Sequence, residues 1–192
     1  YGLVASKIKT VNLAPPEAMA AMASNEIQGM VFWEPFPYRA VKEQGARIVH
    51  SGTTSYFAKN KGEAAPVSNN RTIWVASQDW VRKNPNAANA LVKVLLKAQA
   101  YVADPANKAE VIKIFSDVQK QPAEMNEALL ADYSFNSKVD QAYVDDMAAI
   151  VGFLKATNRI PGQPIDALTY TYTAPLKAVD PALVAVEGRW RP

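Results

Sequence analysis

Trp33-Glu34-Pro35 closes a continuous apolar run, Met30-Val31-Phe32-Trp33, and sets an aromatic side chain beside a single carboxylate. A small-molecule cleft needs that composition: a mostly apolar lining with a few placed polar groups. In an open α/β sheet, ligands sit beyond the carboxyl ends of the strands, which makes the end of this run a candidate site. Two readings apply. Trp33 and Glu34 face a ligand, by contact or by holding the loop. Alternatively, Trp33 is core and Glu34 caps the helix after Pro35, since acids favour helix starts. A carboxylate repels an anion, so toward an anionic ligand Glu34 would orient its neighbours rather than touch the solute. Ser51-Gly52-Thr53-Thr54-Ser55 gathers hydroxyls around a glycine. That is a workable oxyanion loop with Thr53 and Thr54 as donors, or a plain polar turn. Arg71 and Trp74 are candidates to line a cleft, by position alone. Pro15-Pro16-Glu17 either starts a helix or offers that helix N-terminus to an anion.

Other chemistry is removed by composition. There is no cysteine and only one histidine, His50. Disulfides, thiolate metal sites and cysteine nucleophiles are excluded. A Ser-His-Asp triad or a multi-histidine zinc site would need that one residue or is impossible. His50 reads as a strand-end or loop residue without chemistry. Asp145-Asp146 and Glu124/Glu127 look like paired acids but lie on helical segments with solvated faces, and their spacing is not that of a metal loop. The sequence calls for no cofactor, no metal and no catalysis. The net charge is +3, and the basic residues are scattered rather than striped, so no nucleic-acid partner is expected.

The elements that must position these residues follow from pattern. About half of the 192 residues are apolar and a fifth charged, enough for one large domain or two small ones. Ile8–Leu13, Met30–Trp33, Arg47–Val49, Ser55–Phe57 and Thr72–Ala76 read as strands. Ala18–Ala23 and Tyr38–Gln44 read as helices, the second ending at Gly45 in the C′ position. That alternation predicts an α/β sheet with helical cover. Ser77 is a plausible N-cap for a short helix through Arg82. Asn86–Val102 carries Leu91, Leu95, Ala98 and Val102 at helical spacing. Asp104-Pro105 opens a helix to about Phe115. Pro122 starts another segment, and Asp140–Ala156 is amphipathic through Tyr143, Met147, Ile150, Val151 and Leu154. Residues 160–181 read as a long surface connection, after which Asp180-Pro181 opens a last short helix. Residues 51–70 read as loop, the place for a crossing between lobes. No stretch approaches the roughly 18 apolar residues of a membrane span. No signal peptide is visible; the chain opens with Tyr1-Gly2-Leu3-Val4 as though inside a helix, which gives the expectation of a fragment or an internally cut mature protein.

Three stretches carry a resemblance. Val11-Asn12-Leu13-Ala14-Pro15-Pro16-Glu17-Ala18-Met19 resembles a strand, a proline turn and a helix counting out small residues. Asn25 to Phe36 is similar to a glycine-to-Trp-Glu-Pro segment, with Gln28-Gly29 departing from the usual Asp-Ala. Trp74 to Asn86, continued by Ala87, Ala90, Leu91 and Ala98, is similar to a strand and short helix before an Asn-Pro-led helix. Their order and spacing resemble the nitrate/sulfonate/taurine branch of ABC-importer solute-binding proteins (the NMT1/THI5-like, periplasmic-binding-protein type II family). The resemblance covers residues 1–110 well and the rest loosely.

The resemblance implies two α/β lobes joined by crossing strands, with a small solute held in the cleft between them. Residues 1–70 would form most of the second lobe. Residues 71–192 would cross over and return, mainly as helices, to the first lobe, whose N-terminal part has no counterpart here. The implied function is non-catalytic binding of a small anion, such as a sulfonate, nitrate or carboxylate, for delivery to a membrane permease. The implied place is the periplasm, or a lipid anchor outside the cell membrane. The cleft face around Trp33, Glu34 and the Ser51–Ser55 loop is expected to be more exposed than in an intact protein and to promote self-association. Three alternatives compete: a ligand-sensing module of a regulator, a binder of a thiamin-pyrimidine precursor, and a generic scaffold. The thiamin-pyrimidine synthases, enzymes of the same fold, rely on a histidine and a cysteine-rich iron motif, and a chain without cysteine argues against them.

Overall fold

In a computed structural model of the chain, the structure describes residues 4, 7–57, 59, 61–65, 71–162 and 165–192. The expected helix end at residues 1–4 and the last part of the expected loop, residues 66–70, lie largely outside them. The chain divides into two compact units, residues 1–51 with 55–62, and residues 52–54 with 63–192.

The first unit is built on two helices. α1 spans Pro15–Ala23 and α2 spans Phe36–Gln44. Prolines sit in the first turn of each, where a missing N–H costs nothing. Glu17 reaches back to accept the Ala14 N–H at 3.1 Å, which accounts for Pro15-Pro16-Glu17 as helix initiation. α2 stops at Gly45, whose φ of 66° is the left-handed conformation that glycine adopts without steric cost. The helices meet through small side chains, with Ala18, Met19, Ala21 and Ala40 buried. Gln44 of α2 donates its Nε2 to the Met19 carbonyl at 3.0 Å.

The second unit is helical: α3 Gln78–Lys83, α4 Pro85–Ala103, α5 Lys108–Gln119, α6 Ala123–Asp132, α7 Gln141–Ala156 and α8 Ala174–Val179. Short 3-10 turns cover Pro105–Asn107, Ala167–Tyr170 and Pro181–Leu183. α4 packs on α3, α5 and α8, α5 packs on α6, and α7 packs on the Ala167–Tyr170 turn. Val81, Ala88, Val111, Met125, Leu129 and Leu168 form its buried apolar set. Asn126 is buried and donates to Ser116 Oγ at 3.0 Å, so its amide is not stranded between α5 and α6. The C-terminal residues return to the unit. Trp190 stacks edge-on against Tyr172 at 5.1 Å and carries the Arg82 guanidinium 5.6 Å from its ring centre.

The expected strands require a correction. Among the described residues the only β pairings are isolated bridges: His50 with Ser55, Thr54 with Ala64, and Val139 with Val184. Ile8–Leu13, Met30–Trp33, Arg47–Val49 and Thr72–Ala76 are without regular structure, and Ser55–Phe57 contributes one bridge residue. The physical reason is that a strand is a property of a pair. Apolar β-branched composition suits a ladder, but the hydrogen bonds come from a neighbour. Arg47–Val49 and Ser55–Phe57 meet only briefly, through the Tyr56 N–H on the Val49 carbonyl at 2.9 Å beside the His50–Ser55 bridge, too little to build a ladder. Among the described residues the other segments pair with no neighbour. Residues 160–181 also differ from expectation, since they hold the Ala167–Tyr170 turn and α8 rather than a plain connection.

Candidate functional site

In the first unit, the turn before α2 carries Trp33 and Glu34. The Glu34 carboxylate accepts the Tyr38 N–H at 3.0 Å, satisfying one of the open amides of the first turn of α2. That is the capping reading of Glu34. Trp33 is not core: its side chain is 59% exposed. It lies edge-to-face with Phe32 at 5.8 Å and with Phe36 at 6.2 Å, and these two rings are 6.1 Å apart. Edge-to-face packing at such separations is favourable and fixes the indole while leaving over half of it open. Chemically, the turn presents an aromatic surface with its carboxylate already bonded to backbone.

In the second unit, Thr53 and Thr54 place their hydroxyl oxygens 3.5 Å apart. The Thr53 carbonyl accepts the Ala65 N–H at 2.8 Å, and Thr54 bridges to Ala64. The two hydroxyls are therefore carried on a backbone held by residues 64–65. Arg71 Nε donates to Asp146 Oδ2 on α7, with side chains 19% and 25% exposed. This is a charge-assisted bond between a partly buried cation and a partly buried anion, and it joins the segment after residue 70 to α7. Trp74, three residues further on, is 78% exposed.

Residues outside these groups are explained by structure. His50 bridges to Ser55, which is fully buried. Asp145 accepts Gln141 Nε2 at 2.8 Å, and Glu127 accepts Lys108 Nζ at 2.6 Å. Among the described residues no three His, Asp or Glu side chains gather as a metal site. No helix of the described residues is long and apolar enough to cross a membrane. The Asp166 carboxyl is held below its usual range by the Leu168 N–H and then by Arg189. Lys177 lowers Glu187 in the same way. Both belong to the C-terminal tie.

The partnership of Arg71 with Asp146 is what the sequence reading missed. A signal was present: Asp146 lies three residues after Tyr143 and four before Ile150, within the apolar stripe of α7, where an acid needs a partner.

The chain matches the NMT1-like family over residues 2–116, more than half of its length. It belongs to that family. Trp33, Glu34, Thr53, Thr54 and Arg71 all fall within the NMT1-like region, while Asp146 lies beyond it. The chain is 33% identical over 104 residues to the nitrate/nitrite binding protein NrtA of Nostoc sp., covering 54% of this chain and 21% of that protein. It is 27% identical over 106 residues to the taurine-binding periplasmic protein of Escherichia coli, covering 55% and 30%. It is 30% identical over 112 residues to the bicarbonate transport ATP-binding protein CmpC of Synechocystis sp., covering 58% and 15%. The chain thus spans less than a third of the length of these relatives. No solved structure matches it.

Proposed function

We propose that this chain serves a solute-binding protein of an ABC importer, taking a small oxyanion and releasing it to a membrane permease without chemical change. The observation that carries the reading is the NMT1-like match across residues 2–116, in a region shared with relatives named for nitrate and for taurine. On this reading the chain works outside the cytoplasmic membrane and contributes to a type II periplasmic-binding fold, in which the unpaired apolar segments are strands.

Each unit offers its own candidate contacts. In the second, the Arg71 guanidinium supplies positive charge and fork-shaped donors suited to an oxyanion, and Thr53 and Thr54 supply hydroxyl donors. In the first, Trp33 supplies an apolar wall, and Glu34 holds the turn that carries it. The test is isothermal titration of the 192-residue chain with nitrate, taurine and bicarbonate. Saturable binding of at least one is expected, weakened at least tenfold by Arg71→Met. No saturable heat with any of the three would refute the proposal.

A further inference from the structure

The positive group offered to an anion in the second unit is already paired with a carboxylate. Arg71 Nε is bound to Asp146 Oδ2, and both side chains are largely removed from water. A guanidinium engaged through its Nε still has a fork of N–H groups at its far end. The carboxylate on Nε fixes the plane of that fork, because the guanidinium is rigid and its donors move together. The pair has no net charge, so an incoming anion meets an oriented donor set rather than a bare cation.

We propose that Asp146 determines which anion charge the site accepts, favouring monoanions over dianions. The proposal rests on the solute-binding reading of Arg71 above. Repulsion from the Asp146 carboxylate grows in proportion to the ligand's charge, and the cost of taking the ligand out of water grows faster than its charge. A monoanion can use the fork against a single unit of repulsion. A dianion meets twice that repulsion, and the pair has no surplus positive charge to offset it. At an effective dielectric near 20 and a separation of about 10 Å, one unit of ligand charge against Asp146 is worth roughly a factor of ten in affinity. Asp145, the neighbouring acid, is exposed, and its carboxylate is engaged by Gln141. Water and salt screen it, so it should discriminate little.

The experiment titrates the 192-residue chain with sodium nitrate and sodium sulfate at constant ionic strength and pH 7. Wild type, Asp146→Asn, Asp146→Ser, Asp145→Asn and Arg71→Met are compared. The readout is the ratio of the two affinities, which a general loosening of the fold would not shift. Expected is a preference for nitrate in wild type that falls about tenfold in both Asp146 variants and stays within about twofold in Asp145→Asn. Asp146→Ser guards against a folding failure of the asparagine variant. An unchanged ratio in the Asp146 variants, with binding lost in Arg71→Met, overturns this inference and leaves the solute-binding reading standing. Nitrate binding that survives intact in Arg71→Met removes Arg71 from the site, and the inference goes with it. If neither wild type nor the Asp146 variants bind either anion, this inference fails, and the solute-binding reading fails with it unless taurine or bicarbonate binds.

Discussion

A methyl group on Gly188 would fall onto the Thr171 backbone, with the Thr171 carbonyl carbon only 2.6 Å from the added atom. The surroundings cannot yield easily. The Gly188 N–H is bonded to buried Thr173 Oγ1 at 3.1 Å, and the next amide, that of Arg189, is bonded to the Leu168 carbonyl at 2.6 Å. Gly188→Ala should therefore destabilise the chain by about 1–3 kcal/mol, the usual range for forced overpacking. Gly152 in α7 is the contrast, because nothing lies within 4 Å of a Cβ placed there. Gly152→Ala should stabilise by up to about 1 kcal/mol through helix propensity. Urea midpoints of the two variants read both, and a pair of equal midpoints would contradict the close packing of Gly188 on Thr171. At this scale the site was only partly legible. The sequence marks Trp33 and Glu34 as a pair with two possible roles, and in the structure Glu34 accepts the Tyr38 N–H as a cap of α2. The side-chain partner of Arg71 was not visible, because a contact over 75 residues leaves no local trace beyond one acid in an apolar stripe.

Helices were the readable elements, since their signals are local. Ser77 accepts the Trp80 N–H, Asp104 the Ala106 N–H, Asp140 the Tyr143 N–H and Asp180 the Ala182 N–H. The sequence marks Ser77 as a cap, Asp104-Pro105 and Asp180-Pro181 as helix openings, and Asp140 only as the first residue of the amphipathic stretch. The strands were not readable in the same sense, because composition states a preference and a ladder needs a partner. Residues 160–181 misled for a different reason: their Pro, Thr and Tyr content hides a cap at Asp166, which accepts the Leu168 N–H at 2.9 Å. That cap has a pH consequence. The Asp166 carboxyl is held low by the Leu168 N–H first and the Arg189 pair second, so the folded form favours the ionised state. A lowered carboxyl contributes stability above its unfolded value and loses it as pH falls through the folded one. Wild type should lose stability more steeply than Asp166→Asn between roughly pH 5 and pH 2. Thermal melts across that range are the measurement. Parallel curves would mean that the cap and ion pair do not favour the ionised form.

Across the whole molecule, apolar surface that sequence reasoning would bury is open. Val31 is 98% exposed, Val75 83% and Trp74 78%. Within the second unit the adjacent pair Trp74-Val75 leaves apolar surface open of the kind a partner surface covers. The backbone gives the same reading, for among the described residues no amide of 72–76 donates to a backbone carbonyl. Hydrogen exchange distinguishes the possibilities. Amides of 72–76 should exchange near their intrinsic rates in the 192-residue chain, while those in the interior of α4 are protected. Protection of 72–76 would instead show that the segment has found a ladder.

The contact of α4 with α8 bears on the order in which the second unit assembles. Roughly 70 residues of chain separate these helices, so the entropy of closing that loop falls due before the contact returns any energy. The α3–α4 and α5–α6 pairs are joined by short turns and close over far smaller loops. Assembly therefore begins with the neighbouring pairs and ends when α8 docks on α4. Trp190, which rests on Tyr172 close before α8 and beneath Arg82 of α3, stands where a change in fluorescence would time that last step.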